Sequence, residues 1–331
     1  MTNDQGTVLL TDRAWPNDTV ERDTIESNGF RLVSGPPEPA PATVIEALVA
    51  EHQPSAILTC WAPVSTTAIA SATALRVVAR MGVGLDNIAV AAATHCGVLV
   101  TNVPDYCVEE VSDHAVGLVL AWARGLVVAD RDVRAGRWNP AGARLRRLSS
   151  LTCGVVGLGR IGRASAAKLR ALGARVVATT PSPPSDTGGV PIVGFDELLA
   201  GSDVVVLHAP LTAATHHLIG ARELALMKPG ALLINVSRGG LVDTEALVAS
   251  LRAGHLGGAG LDVLEEEPAV PAELLEHPSV VITPHIAFSS DASVIELRRS
   301  AAEEVARVLR GETPRYACNQ PSPTTMNGVF L

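Results

Sequence analysis

The sequence predicts an α/β protein built on two doubly wound parallel sheets. Short β-branched runs alternate with Ala/Leu/Arg segments at helical spacing along almost the whole chain, the pattern of repeated βα units. One of those runs ends in a glycine-rich turn that opens a helix. The 331 residues, 47% of them hydrophobic, are enough for two cores at the usual ~150 residues per domain.

In chain order, strands are expected over residues 8–12, 56–60, 76–80 and 98–101, then over 153–156, 175–179, 204–208, 232–236, 259–263 and 280–283. The segment 35–41, Gly-Pro-Pro-Glu-Pro-Ala-Pro, cannot be helical and reads as a stiff loop before a helix over 42–52. The stretch 108–124 carries apolar side chains on nearly every turn and starts with Glu109 and Glu110 at its positive end. It predicts a buried helix that bridges the two sheets. Pro181-Ser182-Pro183-Pro184 is a second stiff loop, directly after a strand, and residues 320–331 read as a polar tail.

Composition narrows the function classes. Lys and Arg total 26 against 34 Asp and Glu, and the net charge of −8 gives no electrostatic reason to bind nucleic acid or an anionic membrane. No run approaches the ~20 apolar residues that a membrane-crossing helix needs, and the first residues lack a basic-then-apolar leader. The five cysteines, Cys60, Cys96, Cys107, Cys153 and Cys318, are scattered without a CxxC pair, which argues against a disulfide framework and a structural zinc site. A cytoplasmic protein that handles small molecules, without a metal, is the expectation.

Gly157-Leu158-Gly159-Arg160-Ile161-Gly162 follows a strand and opens a helix, the context a dinucleotide fingerprint requires. Its first glycine allows the tight turn, its second lets the backbone approach a pyrophosphate, and its third lets helix pack on strand. At the end of the next strand, where an acid grips the ribose of NAD, stands Thr180. No Arg or Lys follows before Leu207 to clamp a 2′-phosphate. NAD(H) and NADP(H) both remain open.

Arg238 lies in Asn235-Val236-Ser237-Arg238-Gly239-Gly240, Glu267 closes the run Glu265-Glu266-Glu267-Pro268, and His285 sits in Thr283-Pro284-His285. Taken alone, Arg238 is either a carboxylate ligand or a surface or cofactor-phosphate contact, the acids are a solvated loop, and the histidine is structural. Together, all three follow neighbouring strands at the edge where open α/β sheets bind ligands. Adding hydride to a ketone needs a proton donor, a cation to hold the oxo acid, and a carboxylate to keep the donor charged. His285, Arg238 and Glu267 supply those groups.

With these pieces in view, the chain resembles the D-isomer-specific 2-hydroxyacid dehydrogenase family. The resemblance rests on Arg80 to Asn87, Val103 to His114, the glycine fingerprint, His208-Ala209-Pro210-Leu211-Thr212, Asn235 to Asp243, Gly260 to Pro268, and Pro284-His285. Val103 to Val111 is most similar to the bacterial branch called C-terminal-binding-protein-like. The resemblance implies a flavodoxin-like substrate domain from residues 1–102 and 288–319. A Rossmann dinucleotide-binding domain, residues 103–287, is inserted into it.

It further implies that Arg238 binds substrate carboxylate and carbonyl, His285 is the acid/base and Glu267 its partner. Cofactor contacts would come from Gly157, Gly159, Arg160, Ile161, Gly162, Thr180, His208, Ala209, Pro210, Thr215, Val236, Ser237, Arg238, Asp262 and His285, with Asp262 facing the nicotinamide amide. On the substrate side, Gly82 and Val83 would offer backbone N–H groups. Trp61 either walls the pocket or packs the core.

Family members are dimers, and Gly136-Arg137-Trp138 matches a segment near that interface. Val83 stands where phosphite dehydrogenases place Lys, and Glu267 where formate dehydrogenases place Gln. Residues 59–64 lack the Arg-Ser loop of phosphoglycerate dehydrogenases, although Arg144, Arg146 or Arg147 offer other phosphate ligands. The expected activity is NAD(P)-dependent interconversion of small 2-oxo and 2-hydroxy acids. The alternative is a dinucleotide-sensing, corepressor-like binding protein without turnover.

Overall fold

The computed structural model describes residues 6–142 and 145–321 and divides the chain into two compact units. The first comprises the residues up to Tyr106 together with those from Ser290 onward; the second is Cys107–Ser289.

The first unit holds a five-stranded sheet in the order β2-β1-β3-β4-β5, formed by Thr7–Leu10 (β1), Arg31–Ser34 (β2), Ala56–Thr59 (β3), Val77–Arg80 (β4) and Leu99–Thr101 (β5). All pairings are parallel, the flavodoxin-like arrangement. β3 and β4 are buried at every residue, and each is apolar up to its last residue, Thr59 and Arg80 respectively. β2 lay outside the sequence expectation: it is an edge strand with only Leu32 buried, too polar to stand out.

The chain returns to this unit through the helix Asp291–Leu309, whose Arg298 makes a buried ion pair with Glu21 at 2.8 Å. Asn319 then caps β5, accepting from Val100 N at 2.8 Å and donating to the Val98 carbonyl at 2.9 Å. Most of the expected tail, residues 322–331, and Arg144 lie outside the described residues.

The second unit holds a six-stranded parallel sheet in the order β11-β10-β9-β8-β6-β7. Its strands are Thr152–Val156 (β6), Arg175–Thr179 (β7), Val204–Leu207 (β8), Leu232–Asn235 (β9), Gly258–Leu261 (β10) and Val280–Ile282 (β11). The strand order reverses at β6, so the crevice beyond the carboxyl ends of β6 and β8 is the switch point where such sheets take ligands.

The helix Val108–Ala123, expected to bridge the sheets, belongs to this unit and packs on the helix Arg160–Ala171, β9 and β10. Its buried residues, Val111, Ala115, Leu118 and Val119 among them, are spent on that packing. No single helix among the described residues is long and apolar enough to cross a membrane.

Candidate active site

The turn after β6 is shaped by what its glycines exclude. Gly157 has φ +94°, and a Cβ there would stand 2.7 Å from the His208 carbonyl oxygen. A Cβ at Gly162 would come within 2.0 Å of the Gly157 carbonyl oxygen, so only glycine lets the helix start this close to the strand. Gly159 differs: a Cβ there would meet nothing within 4 Å. That open space fronts the first turn of the twelve-residue helix Arg160–Ala171, whose N-cap is Gly159 and offers no side chain to the N–H groups. Arg160 and Ile161 open this turn. Bare N–H groups at a helix N-terminus beside an open glycine cradle fit a pyrophosphate.

Thr180 follows β7 beside this turn, where Gly157 N donates to Thr179 O at 2.9 Å. The two cations nearest in sequence are engaged elsewhere, Arg175 by the Ser150 carbonyl and Arg170 by the Gly188 carbonyl. His208, Ala209 and Pro210 follow β8. The Nε2 of His208 is buried without a hydrogen-bond partner among the described residues, and burial pushes its pKa down to about 4, so the ring is neutral at ordinary pH. Thr215 is committed locally: its hydroxyl donates to Pro210 O at 2.7 Å and accepts from Thr212 N at 2.8 Å.

β9 ends in Asn235, whose amide donates to Arg238 O at 2.8 Å and accepts from Ser237 N at 3.1 Å. Val236 is buried in that turn, and the Ser237 hydroxyl donates to Leu207 O at 2.8 Å, stitching it to β8. Arg238 donates from Nη1 to Ser237 O at 2.8 Å. The next residue is the tightest point of the site: a Cβ at Gly239 would lie 1.9 Å from both the carbonyl carbon and the oxygen of Leu264. The Arg238 turn and the loop carrying Glu267 therefore touch backbone to backbone.

Within that loop, Glu267 Oε1 accepts from Leu264 N at 3.0 Å while Oε2 meets His285 Nδ1 at 2.8 Å. Burial pushes the Glu267 carboxyl up, but the His285 bond and charge, the Leu264 N–H and the Arg238 charge together hold it below the ordinary value. It is a carboxylate at neutral pH, so His285 Nδ1 is the donor of the pair.

His285 is held in the left-handed region, φ +53°, which a non-glycine residue adopts only when its surroundings impose it. The imposing group is Asp262. Only 2% exposed, its carboxylate accepts from Ile286 N at 3.0 Å, Ala287 N at 2.9 Å and the Thr283 hydroxyl at 2.5 Å. Its carbonyl takes His285 N at 2.8 Å. His114 Nε2 lies 3.0 Å from the Thr283 hydroxyl, which already donates to Asp262, so the ring is the donor. The Asp262 carboxylate, expected to face a nicotinamide amide, thus also supports the His285 turn. Thr283 and His114, which sequence reasoning missed, complete its support.

The expected substrate-side residues lie in the first unit. Trp61 is part-buried, and the backbone N–H groups of Cys60, Trp61 and Ala62 all donate to the buried carboxylate of Asp12, at 3.0, 2.7 and 3.1 Å. Gly82 has φ +155°, and a Cβ there would stand 2.6 Å from the Arg80 guanidinium. The carbonyls of Gly82 and Val83 accept from Val103 N and from the Asn102 amide. Among the alternative phosphate ligands, Arg146 is stacked 3.9 Å over the Trp122 ring.

Comparison with known proteins gives the family and the fold. Residues 116–287 match the family model described as D-isomer specific 2-hydroxyacid dehydrogenase, NAD binding domain. The glyoxylate reductase of Thermococcus litoralis is 41% identical over 260 residues, covering 74% of this chain and 77% of that protein. The D-3-phosphoglycerate dehydrogenase of Mycobacterium leprae is 41% identical over 259 residues, 77% of this chain, but the chain spans only 49% of its length. Among solved structures, the NADPH-dependent glyoxylate/hydroxypyruvate reductase of Sinorhizobium meliloti, in complex with NADP and malonate, superposes with a TM-score of 0.84. It is 30% identical, covering 97% of this chain and 98% of that one.

Proposed function

The chain belongs to the D-isomer-specific 2-hydroxyacid dehydrogenase family, and from that premise we propose that it reduces small 2-oxo acids to D-2-hydroxy acids with NADH or NADPH. The observation that carries the reading is the Glu267–His285 pair, 2.8 Å apart, beside Arg238 at the carboxyl edge of β9, β10 and β11. The bound dihydronicotinamide supplies the hydride to C2 of the substrate.

The Arg238 guanidinium pairs with the substrate carboxylate and polarises its carbonyl. His285 delivers the proton from Nε2 to the oxygen that becomes the hydroxyl, while Glu267 stabilises the imidazolium through Nδ1. In the oxidative direction Nε2 takes that proton back. Relatives named glyoxylate reductase, and a 59–64 loop without arginine, favour the smallest unphosphorylated 2-oxo acids. The non-turnover sensor reading is less favoured because Arg238, Glu267 and His285 are all present.

The test is oxidation of NADH and of NADPH with glyoxylate, hydroxypyruvate, pyruvate and bulkier or phosphorylated 2-oxo acids. Turnover of the small acids is expected; tight dinucleotide binding with silence across the panel would establish the sensor instead. Because Thr180 places no carboxylate at the ribose position, Thr180→Asp should lower kcat/KM for NADPH by about tenfold or more through repulsion of the 2′-phosphate, leaving NADH within about threefold. Equal loss with both cofactors would show that Thr180 does not face the ribose.

We also assign this protein to the homodimers of the family and to a reducing, cytoplasmic compartment, in keeping with its free cysteines. The helix Leu126–Arg134 has no buried residue. Its Leu126 and Val133 are 58% and 51% exposed, and Val133 lines, with Trp138 at 82%, a cavity of about 760 Å³. An apolar face of this kind is what a two-fold interface covers. Trp138→Glu should halve the mass measured by light scattering; an unchanged mass, or a monomeric parent, would remove this face from the account.

A further inference from the structure

A second cluster of chemistry lies beside the Glu267 loop, and the reaction does not use it. His216 and His217 stack their rings, centroids 4.0 Å apart at 26°, and with Glu265 they place three donor atoms within 4.8 Å of one another, all open to solvent.

The cluster is a built one. Glu265 Oε2 accepts from the Thr244 hydroxyl at 2.9 Å and from Thr244 N at 3.3 Å, which aims Oε1 at His217 Nε2, 2.5 Å away. On the other side of the ring, His217 Nδ1 faces Asp243 Oδ2 at 4.0 Å. The backbone of His217 is held with φ +50°, its N–H donating to Gly240 O at 2.8 Å. Ile219 N to Leu241 O at 2.9 Å and Asp243 N to Ile219 O at 3.0 Å continue the pairing. A ligand carboxylate oriented by hydrogen bonds, as Glu265 is by Thr244, is the outer support found around metal ligands.

We propose that His216, His217 and Glu265 form a surface site for a divalent transition-metal ion of the Zn²⁺ class. Two imidazoles and one carboxylate suit Zn²⁺ or Ni²⁺ and not the oxygen-seeking Mg²⁺ or Ca²⁺, and solvent completes the shell. Tetrahedral Zn²⁺ at about 2.1 Å from each ligand needs donors about 3.4 Å apart, which small rotations of exposed side chains provide. The ion takes the place of the proton that His217 shares with Glu265. It fastens the turn carrying His216 and His217 to the loop after β10, now joined here through the His217–Glu265 pair.

The test is calorimetric titration of the full-length, tag-free, chelator-treated protein with zinc chloride at near-neutral pH. One Zn²⁺ per chain in the low-micromolar range is expected, with no heat from Mg²⁺ or Ca²⁺. His216→Ala and Glu265→Gln should each weaken binding by about tenfold or more, and Thr244→Val, which removes a support of Glu265, should weaken it as well. Absence of micromolar Zn²⁺ binding overturns the proposal. So does binding that His216→Ala and Glu265→Gln leave within about twofold, which would put the ion elsewhere, as on the exposed thiol of Cys96.

Discussion

Replacing His285 with asparagine should lower kcat by about 10²- to 10⁴-fold while leaving NADH or NADPH affinity, read by fluorescence titration, within a few-fold of the parent. Asparagine is the informative choice because His285 sits at φ +53°, a conformation that Asn tolerates better than Ala. The turn held by Asp262 through Ile286 N and Ala287 N can then persist, and what disappears is the imidazole proposed to exchange the proton beside Glu267. Loss of dinucleotide affinity in step with turnover would mean that the turn had collapsed. Turnover within a few-fold of the parent would mean that the proton comes from another group.

Gly239→Ala should be nearly as damaging, for a different reason. The added methyl would lie 1.9 Å from the Leu264 carbonyl, and because the obstacle is backbone, no rotamer relieves it. Either the Arg238 turn or the loop of Glu267 must move, and displacement of about 1 Å at a reacting centre costs on the order of 10²-fold in rate. The expected outcome is a drop of about that size in kcat/KM together with a lower melting temperature. Gly240→Ala is the control: its methyl would meet the Leu211 side chain at 3.2 Å, which can give way, so activity should stay within about threefold. Equal effects at the two positions would refute the backbone contact as the coupling between Arg238 and Glu267.

Much of this was legible in the sequence because parallel strands buried on both faces are spelled as continuous β-branched runs. β8, Val-Val-Val-Leu and buried at every residue, was readable for that reason, and the Arg238–Glu267–His285 group was legible because each member follows an expected strand of this sheet. What escaped were features set by partners distant in the chain. β2 is defined by its pairing with β1, Asp12 by three N–H groups about fifty residues on, and His114 by a hydroxyl 169 residues away. His216 and His217 stand side by side in sequence, but Glu265 comes 48 residues after His217, so no local spacing announces the cluster. The support that Asp262 gives to the His285 turn shows the same limit, because periodicity does not reveal which N–H groups a carboxylate meets.

The most direct measurement is a single turnover of a small 2-oxo acid with nicotinamide cofactor deuterated at C4, followed by mass and chiral analysis of the product. Deuterium at C2 of a D-2-hydroxy acid, formed by the parent protein and reduced at least about a hundredfold in rate by His285→Asn, is the predicted result. Cofactor that binds but transfers no deuterium to any of these acids, or transfer that proceeds undiminished without His285, would contradict it.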